Sequence, residues 1–188
     1  TVSRNTEIGR TERFVETIKR THRFVSETKE WHVCEDGVWR KTDEKHVLHQ
    51  AFLFIKQDAQ RIAGMEDDRD REEAIVDYRR YANRSGVSNV TVLASVRLLA
   101  QLDEFDTDDD ALSVNEGWVD LRTNRRHGID ASKMFSLSCA ARFSPFDRAE
   151  LWRKTVHEVF DGDKGLIEYF QKAAGYSLLG DNREQVMF

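Results

Sequence analysis

Proline is nearly absent from this chain: Pro145 stands alone in 188 residues, so little in the sequence breaks helices. Cysteine is almost as scarce. Cys34 and Cys139 cannot supply a disulfide framework, and they imply two free thiols in a reducing compartment. No run of about 18 apolar residues occurs, which excludes a transmembrane helix. The opening residues also lack the basic, apolar and small-residue order of a signal peptide, so the expectation is a cytoplasmic protein away from membranes. Positive charge is short as well, with 29 Lys and Arg against 34 Asp and Glu for a net charge of −5. Residues 1–100 carry 18 basic and 17 acidic side chains, whereas residues 101–188 carry 11 and 17. A protein that holds duplex DNA through phosphates alone carries a basic excess, so any nucleic-acid contact here must be local. What the chain does have is 39% apolar residues, including eleven Phe and four Trp, enough anchors for one folded domain.

Periodicity sets out the elements. Phe14, Val15 and Ile18 at helical spacing predict a short helix through about residue 20. In the segment RFVSETKEWHVCEDGVWR (23–40), apolar pairs flank the turn signals Glu27-Thr28-Lys29 and Asp36-Gly37, which predicts hairpin strands. From 43 to 63 a stripe of Leu48, Ala51, Phe52, Ile55, Ala59 and Ile62 predicts a helix, with Val47, Leu53 and Phe54 as apolar surface for a neighbouring subunit. A second helix follows with Ile75, Tyr78 and Ala82 inward. Ser88 then reads as the cap of a third helix carrying Val92, Val96, Leu99 and Leu102. Residues 111–146 alternate in short apolar steps (Leu112, Val114; Trp118, Val119, Leu121; Phe135, Leu137, Cys139), which reads as small strands. Two helices finish the chain. The first is capped by Asp147 with Glu150 and buries Trp152, Val156, Val159 and Phe160; the second follows Asp161-Gly162-Asp163, carries Leu166, Ile167 and Phe170, and stops at Gly175. The class is α+β: a mostly helical domain with small antiparallel hairpins and a C-terminal helical pair. Its parts are 1–110 (hairpin plus helices), 111–146 (small strands) and 147–188 (helical pair).

Few residue groups can carry chemistry. His32, Cys34, His46 and His49 are four potential zinc ligands within 18 residues, yet with one thiolate and no Cys-x-x-Cys knuckle, surface and packing roles are favoured. The acidic run from Asp103 to Asp110 is a solvated loop, because neighbours in a continuous run point apart and cannot build a two-metal site. No G-x-S-x-G occurs, and Cys139 in the run SLSCAARF reads as a buried small hydrophobe. No G-x-x-x-x-G-K-[ST] occurs either, so no ATP hydrolysis is expected from this chain. Two basic clusters remain as candidate nucleic-acid contacts. Arg122, Arg125 and Arg126 gather around a turn near Trp118, and Arg79, Arg80 and Arg84 sit on the second helix.

Three blocks in order then carry a resemblance: the hairpin WHVCEDGVWR, the turn NEGWVDLRTN at 115–124, and the tail VFDGDKGLIEYFQKAAGYSLLGDNREQVMF at 159–188. Together they resemble the poxvirus- and phage-type primase-helicase N-terminal domain, which lies between a primase region and a superfamily 3 helicase module in replication proteins of viruses, phages and plasmids. In the tail, Phe160, Asp163, Leu166, Ile167, Gly175-Tyr176-Ser177-Leu178, Gly180-Asp181 and Glu184-Gln185 match the family pattern. In the turn, Gly117, Asp120, Leu121 and Thr123 match a pattern N-G-x-x-D-L-x-T-G, with Glu116 in place of Asn and Asn124 in place of Gly. Asn tolerates the left-handed conformation that such a turn needs.

The resemblance implies a linker or collar that joins primase to helicase, helps a hexameric ring assemble and guides single-stranded or fork DNA, without catalytic residues of its own. ATP and Mg would belong to a helicase module beyond Phe188, which falls inside the strand that leads to the family's phosphate-binding loop. The chain thus reads as a piece whose ATPase has been removed. Two other readings stay open: a stand-alone nucleic-acid-binding or regulatory module, and a metal-dependent enzyme.

Overall fold

The Thr6 hydroxyl accepts the Gly9 N–H at 3.1 Å and opens helix α1 (Glu7–Ile18), which buries the expected Phe14, Val15 and Ile18. In the computed structural model, residues 6–141 and 149–180 are described, and the chain divides into two units, one of residues 1–35 and 39–104 and one of residues 36–38 and 105–188. After α1 come strands β1 (His22–Val25), β2 (Glu30–Glu35) and β3 (Val38–Thr42). β1 pairs antiparallel with β2, setting Phe24 opposite Trp31. Asp36 and Gly37 both sit left-handed (φ 51° and 84°), the geometry that a two-residue hairpin turn into β3 demands. Strand β4 (Leu99–Ala100) adds parallel to β1, giving a sheet in the order β3-β2-β1-β4.

Helices α2 (Glu44–Ala63), α3 (Asp68–Tyr81) and α4 (Arg84–Arg97) complete the first unit, each opened by a side-chain cap from Asp43, Asp67 and Asn83. The core joins α1, α2, α4 and the sheet through Phe14, Val15, Ile18, Trp31, Val47, Ala51, Val90, Ala94 and Leu98. In all three of these helices the buried arc is rotated from the one read off the sequence. On α2 the arc runs through Val47, Ala51, Ile55, Asp58 and Ile62, while Phe52 is 52% exposed and Leu48 half-buried. Val47 is therefore core rather than subunit surface, and Leu53 and Phe54 are half-buried, Phe54 against that core. The cause is Asp58, a charged residue that the apolar pattern places outside. Its carboxylate accepts from Arg13 Nη2 at 2.9 Å, Arg61 Nε at 2.7 Å and the Tyr81 hydroxyl, so burial leaves it satisfied. Burial pushes its pKa up, but the bonds from Arg61 and Tyr81 and the Arg13 charge outweigh this and hold it below the usual range.

Tyr81 follows from the same network. On α3 it and Ala74 face inward while Ile75 and Ala82 are exposed and Tyr78 is half-buried. On α4 the cap is Asn83, five positions before the expected Ser88, and Gly86, Val90, Thr91 and Ala94 are buried while Val92 and Val96 face water. Small residues decide that face: a Cβ on Gly86 would lie 1.9 Å from the Tyr81 carbonyl oxygen. Thr91 is buried at no cost in hydrogen bonds because its hydroxyl donates to the Val87 carbonyl at 3.0 Å. Leu99 lies in β4 and Leu102 in a short 3-10 turn, so neither extends α4.

The second unit holds a three-stranded antiparallel sheet, β5 (Ala111–Val114), β6 (Gly117–Asp120) and β7 (Arg125–His127), in sequence order. Phe135 and Cys139 make single bridges to Val38 and Val114 rather than a strand, and Leu137 and Cys139 are exposed. A single bridge pairs the backbone without covering the side chain, so Cys139 is not the buried hydrophobe expected of it. The acidic run is not a free loop either. Asp106 accepts the Ser136 N–H at 2.8 Å, Asp108 pairs with Lys133 at 2.6 Å, Asp110 pairs with Arg122, and the Asp109 carbonyl accepts from Gly180 at 3.1 Å.

Helices α5 (Glu150–Val159) and α6 (Lys164–Tyr176) follow. The Asp147 cap lies outside the described residues, as do Asp181, Glu184 and Gln185 and the expected strand at Val186–Phe188; Ala149 stands at the α5 cap without a side-chain bond. Asp163 caps α6 through Gly165 and Leu166. The pair packs Phe170 against Trp152 at 5.8 Å and Phe160 at 5.4 Å. Only Val156 is buried on α5, and Trp152, Val159 and Leu166 stay exposed, since two short helices facing one another share one narrow seam. α6 also runs through Gly175 and ends at Ser177 in the right-handed region. The left-handed positions fall on Asp161 and Gly162 in the preceding turn. With six helices and two small sheets among the described residues, the fold is α+β as expected. None of the described helices is long and apolar enough to cross a membrane.

Candidate nucleic-acid interface

The β6–β7 turn that carries the arginines is built by the residues of the N-G-x-x-D-L-x-T-G pattern. Gly117 has φ +142°, and a Cβ there would lie 2.0 Å from the His127 carbonyl oxygen, so the crossing of β6 and β7 admits only glycine. Asp120 Oδ1 accepts the N–H groups of Arg122 at 2.8 Å and Thr123 at 3.1 Å, closing the turn. The Thr123 hydroxyl and these N–H groups hold the Asp120 carboxyl below its usual pKa. The Leu121 N–H is taken by the Asp110 carbonyl at 2.8 Å. Asn124, where the family favours Gly, takes the left-handed conformation at φ 53°. Glu116, where the family favours Asn, is left-handed as well (φ 69°), and its carboxylate accepts from Arg126 at 3.1 Å.

Of the three arginines in that turn, Arg122 is paired with Asp110 and Arg126 with Glu116, while Arg125 is exposed with no ion pair among the described residues. Trp118 is half-buried. Its ring stacks on His127 (centroids 4.1 Å, planes 13° apart), and Lys133 Nζ lies 4.1 Å from its centroid. Arg122, Arg125, Arg126 and Lys133 thus sit among Asp108, Asp110, Glu116 and Asp120, a neutral balance of charge in which Arg125 alone of the three arginines has no ion pair among the described residues. Lys133 was not read from the sequence as part of the cluster; it is isolated in the chain, and only the 3-10 turn at Ala131–Lys133 brings it to Trp118.

In the first unit, Arg79 and Arg80 are exposed on α3 and Arg84 is exposed at the first position of α4. Arg80 lies 3.9 Å from Asp77; Arg79 and Arg84 have no ion pair among the described residues. His32 and Cys34 on β2 and His46 and His49 on α2 form no metal cluster: among the described residues no three His, Cys, Asp or Glu side chains come together as ligands. His46 instead stacks on His22 at 5.6 Å and His49 on Phe52 at 6.4 Å.

A family model described as D5 N terminal like matches residues 11–161. The matched span takes in the hairpin WHVCEDGVWR and the turn at 115–124, and the tail from Gly162 lies beyond it. A search of curated proteins gives no match. With most of its length covered, including the turn that Gly117, Asp120 and Asn124 shape, the chain belongs to the D5 N terminal like family, the N-terminal domain of D5-type poxvirus and phage primase-helicases.

Proposed function

We propose that this domain is a non-catalytic element of a viral, phage or plasmid replication protein, coupling a primase to a superfamily 3 helicase. It supports assembly of the hexameric ring and guides single-stranded or fork DNA. ATP and Mg serve the helicase module and not this domain. The family match over residues 11–161 carries the reading. For DNA contact the supporting feature is the β6–β7 turn, which presents Arg125 with Arg122 and Arg126, while the Trp118 ring in β6 stacks on His127. Because Arg122 and Arg126 already hold carboxylates, they must exchange partners to grip a phosphate, so the affinity is weak, sequence-independent and strongly dependent on salt. The test is fluorescence anisotropy of labelled single-stranded and forked DNA over a salt series. Replacing Arg125 and Arg126 together by Ala is expected to lower affinity and flatten the log–log salt slope by one to two units, at about 0.7–0.9 per phosphate contact. The same preparation should turn over no ATP. An unchanged slope, or ATP hydrolysis copurifying with the folded chain, refutes the corresponding part.

A further inference from the structure

We infer that a groove on the first unit, bounded by α2, α3 and α4, is a second single-strand contact that takes one nucleobase with its phosphate. This rests on the reading that the domain touches single-stranded DNA. The groove has a volume of about 620 Å³, with Leu48, Phe52, Tyr78 and Val87 in its walls and Lys56 and Arg84 among the residues lining it. No Asp or Glu lines it. That volume lies within the range of about 300–1,000 Å³ common for small-ligand clefts.

Three observations select the occupant. First, the charged lining is wholly cationic, and neither Lys56 nor Arg84 has an ion pair among the described residues, in contrast to Arg80, Arg122 and Arg126. An anionic ligand is complementary to it, and a plain apolar helix is not. Second, two aromatic rings line the groove. The Phe52 ring is held from one side by His49, and the Tyr78 ring meets Tyr81 edge-on at 5.5 Å. Propped rings of this kind serve as stacking platforms, and every base offers a π-face. Third, Arg84 occupies the first turn of α4, where no acidic residue stands. A cation there opposes the helix dipole, so helix stability does not account for it. An anionic partner does. Duplex DNA keeps its bases stacked inside, which leaves a single strand as the form that can lend a base to Phe52 and Tyr78.

The probe is a short fluorescein-labelled oligothymidylate bound to the whole chain, with Phe52→Ala, Lys56→Glu and Arg84→Glu as variants. Each should weaken binding about tenfold or more, the scale of one lost stacking or phosphate contact. Arg84→Glu gives the sharper reading, because it improves the helix terminus: melting temperature should hold or rise while affinity falls. A bromodeoxyuridine-substituted strand should photocrosslink to the peptides that carry Phe52 or Tyr78. If all three variants bind like the wild type while Arg125→Ala/Arg126→Ala does not, the groove is overturned and the turn remains the contact. If the variants alter sedimentation but not DNA affinity, the groove is a protein-docking surface and the inference fails. A wild type that binds no strand at all defeats this inference together with the DNA role proposed for the domain.

Discussion

His22 is expected to make the stability of the first unit fall as the solution is acidified from about pH 6.5 to pH 4. The ring is 5% exposed at the start of β1, its Nδ1 lies 2.9 Å from the Thr21 hydroxyl, and it stacks on His46. Burial, then the neighbouring His46 charge, lower its pKa from 6.5 to about 4, against a smaller upward pull from its backbone hydrogen bond with Ile18. The folded pKa is thus depressed below the unfolded one. Above pH 6.5 both states hold His22 neutral and the full stability is present. Between 6.5 and 4 the unfolded chain binds the extra proton, so stability drops with pH, and below about 4 His22 takes away nothing more. At 1.36 kcal/mol per unit, the gap amounts to about 3 kcal/mol, a large share of a single domain's margin. Urea unfolding across this window should show the loss in the wild type, superimposed on the titration of the other groups. His22→Phe keeps a ring of similar size against His46 but takes no proton, so its profile should lack the step while losing the Thr21 bond at every pH. Parallel wild-type and variant profiles between pH 6.5 and 4 would refute the reasoning.

Asp58→Ala should cost about 2–4 kcal/mol, because it strands the Tyr81 hydroxyl and leaves Arg13 and Arg61 without their shared carboxylate; a urea midpoint within error of the wild type sinks the network as a source of stability. The phenol of Tyr81, pushed up to about 12 by burial and then by its bond to Asp58, should in the wild type fail to ionise in an ultraviolet pH titration until well above the ordinary tyrosine range. Gly117→Ala should cost at least about 2 kcal/mol, since the methyl group meets the His127 carbonyl at a positive φ; amide exchange would then accelerate across β6 and β7, and unchanged protection there contradicts the close approach.

Helices, hairpins and their order are legible in this sequence because they rest on spacing, capping and turn chemistry, all of which are local. The Asp36-Gly37 turn and the start of α6 after Asp161-Gly162-Asp163 are readable for that reason. Which arc of each helix faces inward is not local. Apolar counting puts Phe52, Ile75 and Val96 inside and Asp58 and Thr91 outside, and the structure reverses each of these because a buried polar residue with partners costs little, while a small residue lets helices approach. The same limit hid Lys56, Tyr78 and Phe52 as one group. They lie on two helices, none stands in a motif, and only the packing of α2 on α3 and α4 brings them to one groove.

The turn at 115–124 makes the opposite case. There the motif is readable, yet what it encodes is backbone: Gly117 allows two strands to cross closely, Asp120 closes the turn, and Asn124 supplies the left-handed residue. None of these residues carries a cation to offer a phosphate. The arginines that do are set among them, Arg122 neutralised by Asp110 from the acidic run and Arg126 by Glu116 from the β5–β6 turn. A motif of this kind identifies the family through the shape it enforces, and the ion-pair accounting, not the motif, then ranks the contacts. By that accounting Arg125 in the turn, Arg79 on α3 and Lys56 with Arg84 over the groove are among the cations without an ion pair among the described residues. Under the proposed DNA role, a chain of net charge −5 would hold a strand only at local points such as these.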